Sequence, residues 1–116
     1  MISKELLSQI ENLDIFSVGF LDKENIIHIC GNYKDTEIHT EYSINIYELA
    51  FKCKAWAHSN GYWLSVRLYE PNGFNIVVFS HIHSQLQKDL KEINDKTEPE
   101  AVFKACQWIL EQKGIK

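Results

Sequence analysis

A chain of 116 residues with 45% hydrophobic and 24% charged side chains has the size and composition of one folded domain, which excludes a disordered polypeptide and two independent cores. Its formal charge of −4 speaks against a passive electrostatic grip on nucleic acid, which needs clustered Lys and Arg. Cys30, Cys53 and Cys106 lack framework or zinc-ligand spacing, the first residues lack the apolar core of a signal peptide, and no run approaches the roughly 20 apolar residues of a membrane span. These features predict a cytoplasmic protein with reduced thiols and no membrane contact.

Ser3 can cap a helix over residues 4–13, in which Leu6, Ile10 and Leu13 recur on one face. Two β-like runs follow, residues 15–21 and 26–31, and the polar Asp22-Lys23-Glu24-Asn25 between them predicts a hairpin. In the second run Ile27 and Ile29 face one way while Ile26, His28 and Cys30 face the other. Gly31-Asn32-Tyr33-Lys34-Asp35 has turn composition and leads into a third strand over residues 36–42.

Asn45 stands three residues before Glu48, the spacing of a capping box in which the Asn side chain accepts an orphan amide and the Glu reaches back. Ile46, Leu49, Ala50, Cys53 and Ala57 then form a buried helical stripe that Asn60-Gly61 ends. Residues 62–70 and 74–80 predict a second hairpin around Pro71-Asn72-Gly73. Pairing Tyr69 with Phe74 places Tyr62, Leu64, Val66 and Leu68 on a core face with Val77 and Phe79. Trp63, Ser65, Arg67 and Tyr69 then lie beside Phe74, Ile76 and Val78 on a second face too apolar to stay fully wet. Cover for it must come from the N-terminal unit, a partner or a second copy of the chain.

From His81 the chain turns polar. Leu86, Leu90 and Ile93 keep a helical spacing that predicts a short exposed helix within residues 84–94, with strand or loop as alternatives. Thr97, Pro99 and Glu100 restate the capping pattern, Val102, Ala105, Cys106 and Ile109 form the last helical stripe, and Gly114 stops it. Glu48, Phe51, Lys52 and Trp56 recur at one constant offset as Glu100, Phe103, Lys104 and Trp108. Phe51 and Trp56 lie roughly 140° apart around a helix, so they cannot share one narrow stripe. Either each helix buries a wide sector or one aromatic of each pair faces outward.

Candidate chemistry is sparse. His81 and His83 would share a strand face, a geometry zinc or copper ligation uses, but no third ligand completes the set. They carry the reading as a small metal-dependent hydrolase. Two of the three cysteines lie on apolar stripes, where a thiol is an inert small hydrophobe. Phosphate-cradling Gly loops, Gly-x-Ser-x-Gly and His-Glu-x-x-His are all missing, which lowers the case for an enzyme, and no cofactor is implied. Trp63, Arg67 and Tyr69 on one strand face resemble the aromatic and cationic platform of RNA and single-stranded DNA binders. Lys88 and Lys91 belong to a charged run that is either solvated surface or a docking strip.

Ile46-Tyr-Glu-Leu-Ala-Phe-Lys-Cys-Lys-Ala-Trp-Ala with Gly61-Tyr62, and Thr97-Glu-Pro-Glu-Ala-Val-Phe-Lys-Ala-Cys-Gln-Trp, resemble small phage and prophage proteins of the phage ABA sandwich kind. The resemblance spans residues 44–112 and rests on caps and helix stripes, so it carries no catalytic residue across. It implies a phage setting and, with it, anti-defence or host-takeover binding. The sequence as a whole predicts a single α+β domain over residues 1–116, a small antiparallel sheet with flanking helices in a two-layer or α/β/α sandwich. Residues 1–43 supply a helix and strands, and residues 44–116 a helix, hairpin, polar segment and helix. The expected function is non-enzymatic binding of a protein partner, with nucleic-acid binding as the alternative.

Overall fold

Each described helix starts at a short polar side chain that accepts an orphan amide. In the computed structural model, which describes residues 2–21, 25–69, 73–80 and 89–114, Ser3 Oγ accepts from Leu6 N (3.1 Å) and opens α1 (Lys4–Glu11). Asn45 Oδ1 accepts from Tyr47 N (2.8 Å) and opens α2 (Ile46–Ser59). Thr97 Oγ1 accepts from Glu100 N (3.3 Å) and opens α3 (Glu98–Gln112), with Pro99 in its first turn. Glu48 is exposed and makes no reach-back bond, so Asn45 alone supplies that cap. Gly61 and Gly114 follow α2 and α3 with positive φ, where the absence of a Cβ removes the steric penalty.

Between the helices lie β1 (Leu13–Leu21), β2 (Ile26–Tyr33), β3 (His39–Asn45), β4 (Tyr62–Tyr69), β5 (Gly73–Ser80) and β6 (Asp89–Asp95). They form two antiparallel sheets, ordered β1-β2-β3 and β4-β5-β6. The predicted helix within residues 84–94 is corrected in its described part. Residues 89–95 are a strand, because pairing with β5 sets Ile93 opposite Ile76 and buries it, which outweighs a helical spacing among few apolar residues.

The second hairpin is also corrected. Leu68 pairs with Phe74 and Tyr69 with Gly73, one residue off the expected register. A one-residue slip exchanges the faces of a whole strand. Leu64 and Val66 therefore share the helix-facing side with Val78 and Ile76, whereas Trp63, Ser65 and Arg67 share the other side with Phe79, Val77 and Asn75. Gly73 makes this register available. Its φ is +94° and a Cβ there would run into the backbone oxygen of Asp95 on β6. Leu68, expected in the core, is 61% exposed on edge strand β4.

All three helices touch one another, with α1 leaning on β1 and α2 and α3 leaning on the second sheet. Their shared core runs from Leu6 and Leu7 through Ile27, Ile29 and Leu49 to Ile76, Val78, Val102 and Ile109. The molecule measures 45 × 32 × 18 Å. With packed layers about 10 Å apart, the thin dimension holds one helix layer on one sheet layer and excludes a three-layer stack. Helices α2 and α3 pack on each other, and Cys106 Sγ donates to Cys53 O (3.4 Å) across that contact. Both thiols are buried, and their mutual contact together with burial pushes the Cys53 thiol far up, so it stays protonated. No helix among the described residues is long and apolar enough to cross a membrane.

Candidate functional site

Two sheet faces look away from the helix layer, and each collects side chains that the core does not use. On the second sheet, alternation along β4 sets out Trp63, Ser65 and Arg67, and their partners on β5 are Phe79, Val77 and Asn75. Glu92 and Asn94 of β6 complete this face. Trp63 is 54% exposed and meets the His58 ring edge to face at 5.2 Å. Arg67 is exposed, while Val77 and Asn75, on the central strand, are buried. Asn75 Nδ2 donates to Glu92 Oε1 (2.5 Å), and its Oδ1 is buried without a partner, an unmet acceptor in the middle of the sheet.

Of the residues singled out in the sequence, Trp63 and Arg67 are thus brought to one face. Lys91 is exposed but pairs with Val78, so the register sets it toward the helix side of the opposite edge strand, away from Trp63. Tyr69 belongs to β4, and its side chain lies outside the described residues, as do Lys88, His81 and His83. Among the described strand residues of the face Arg67 is the one basic side chain, and Glu92 offsets it.

The first sheet carries a different chemistry. Its inner face holds Ile27, Ile29 and Ile44, so alternation turns His28 and Cys30 of β2 outward. The register then sets Ser43 opposite His28, Glu41 opposite Cys30 and His39 opposite Asn32. Glu41 sits between two imidazoles: His28 Nε2 is 3.2 Å from Oε1 and His39 Nε2 is 3.2 Å from Oε2. These bonds, His39's first, hold the Glu41 carboxyl below its usual range. The other nitrogen of His28, Nδ1, lies 3.0 Å from Ser43 Oγ.

A bulge in β1 completes the cluster. Ile15 pairs with Gly31 and Ser17 with Cys30, so Phe16 is the extra residue, and its ring stacks on His39 at 5.6 Å. Gly31 permits the close strand approach there, since a Cβ would stand 2.6 Å from Asp14 O. The donor atoms of His28, Cys30 and Glu41 all lie within 4.8 Å of one another, and no other such group of His, Cys, Asp or Glu occurs among the described residues.

Reading the sequence placed His28 and Cys30 on one strand face but missed His39 and Glu41 as their neighbours. The signal was present as His39-x-Glu41-x-Ser43, a period-2 polar stripe. Which residues of β3 stand beside β2 depends on long-range pairing, and local pattern does not supply it. In comparisons with known proteins, no family model, curated protein or solved structure matches the chain.

Proposed function

We propose that this protein acts by binding another protein through the outer face of the second sheet, without catalysing a reaction. One observation carries the reading. Trp63 stands 54% exposed beside Arg67 on the sheet face opposite Leu64, Val66, Ile76 and Val78, which face the shared core. Trp and Arg are the residue types that dominate binding energy at protein interfaces. Charges of opposite sign on its two edge strands, Arg67 on β4 and Glu92 on β6, give such a face orientation as well as affinity. The resemblance of residues 44–112 to phage ABA sandwich proteins supports a phage or prophage setting, with a host or defence protein as the partner. Nucleic-acid binding is less well supported, because the single basic side chain described on the face is balanced by Glu92.

Affinity capture from the native host, with wild-type and variant baits compared, tests the reading. Trp63→Ala and Arg67→Ala are expected to lose the captured protein while the melting temperature stays within a few degrees of wild type. A large fall in melting temperature would return these residues to the core and end the proposal.

A further inference from the structure

We propose that His28, Cys30 and Glu41, with His39 behind Glu41, form a binding site for one transition-metal cation of the zinc class on the outer face of the first sheet. The donor set points to that class. Imidazole, thiolate and carboxylate together suit zinc and its neighbours, whereas calcium and magnesium take oxygen ligands. A thiolate from Cys30 and the carboxylate of Glu41 would balance the two positive charges of the ion.

The geometry is close to what the ion requires. Metal–ligand bonds of about 2.0–2.3 Å in a tetrahedral site set donor atoms roughly 3.3–3.8 Å apart. The three donors here lie within 4.8 Å of one another, and all three belong to side chains with access to solvent. Small rotations about their side-chain bonds close the remaining gap, and the strands that carry them need not move. His39 touches the other carboxylate oxygen of Glu41 at 3.2 Å and orients it from behind, which leaves the fourth position of the ion to a water.

Supporting contacts match those of a metal ligand. A ligating histidine engages a polar group through its second ring nitrogen, which fixes the tautomer and the ring plane. Ser43 Oγ does this for His28 Nδ1, which carries the ring proton once the ion takes Nε2 from its bond to Glu41 Oε1. Phe16, turned outward by the bulge in β1, holds the His39 ring by stacking. On binding, the Cys30 thiol releases its proton to solvent and its sulfur takes the metal.

Cobalt(II) titration of the reduced full-length protein tests the proposal. Because Cys53 and Cys106 are buried, a thiolate-to-cobalt charge-transfer band reports Cys30. The expected result is that band at one equivalent, with intense tetrahedral visible bands, reversed by zinc. Cys30→Ser is expected to abolish the charge-transfer band and Glu41→Gln to weaken binding strongly. Ser43→Ala should lower affinity about tenfold through the unsupported ring. Metal-free melting temperatures of these surface variants serve as the folding control. The double variant His81→Ala with His83→Ala is expected to bind as wild type does. Absence of the charge-transfer band in wild type, undiminished binding by Cys30→Ser and Glu41→Gln, or loss of binding in the His81 and His83 double variant would each overturn the site.

Discussion

Lys52 and Lys104 occupy matching places in α2 and α3, yet their carboxylate partners differ in exposure. Lys52 Nζ reaches Glu11 at 2.9 Å, and the Glu11 side chain is 5% exposed. Removing the lysine takes the cation from a carboxylate that water barely reaches, so Lys52→Ala is expected to cost about 1–2 kcal/mol in urea denaturation. Lys104 Nζ reaches Asp95 at 2.6 Å from an exposed position, so Lys104→Ala should lower the denaturation midpoint by less than Lys52→Ala does. Nearby, Tyr42 meets the same Glu11. Burial first, then that carboxylate, pushes its phenol up, so it stays protonated and donates.

Asp95 gives the residue scale a pH dependence. The Lys104 ammonium holds its carboxyl below the usual aspartate value against a smaller opposing effect of burial, and the Lys96 amide helps (2.6 Å). A folded-state value below the unfolded one means that the contribution is complete above the ordinary aspartate value of about 3.9 and is lost as pH falls through the lower folded value. In melting-temperature scans against pH, wild type should exceed Asp95→Asn near neutrality, and the two should converge in acid. A constant difference down to the lowest pH would contradict this.

At the scale of elements, the two similar helices do different work. Phe103 is 2% exposed within the core, whereas its counterpart Phe51 is 71% exposed beside the outward-facing Tyr47. Trp56 and Trp108 are both half-buried, and Trp108 meets Tyr62 of β4 edge to face at 6.3 Å. Phe103→Ala is therefore expected to cost about 3–5 kcal/mol. Phe51→Ala should stay within about 0.5 kcal/mol of wild type in the same measurement. The recurrence of residue types thus marks two similar helices in unequal surroundings: α3 lies across β4, β5 and β6, while α2 touches β3 of the first sheet and β4 of the second.

Among the strands, legibility followed the same line. The N-terminal helix, the hairpin and a third strand were all visible, because caps, polar turns and apolar alternation are local signals. The third strand was placed about three residues early, since His39–Asn45 runs straight to the cap of α2. Strand β6 stood only as an alternative to a helix, because Lys91, Glu92 and Asn94 give it no apolar alternation and, of residues 90–95, Ile93 is the buried one. Its pairing with β5 supplies what its own sequence lacks.

Across the whole molecule, one layer of helices on one layer of strands leaves two sheet faces without a helix behind them. One gathers Trp63 and Arg67 around a buried Asn75, and the other gathers His28, Cys30, His39 and Glu41. By itself the sequence determined the α+β class, where the helices start and where α2 and α3 stop, and that Trp63 and Arg67 share a strand face. Each of these depends on residues within one helical turn or one strand. Tertiary structure alone decided the register of the second hairpin, the existence of β6, the two-layer arrangement and the meeting of β2 with the polar stripe of β3. Those depend on contacts between residues far apart in the chain, where a shift of one position exchanges inside for outside and no local pattern records which position is taken.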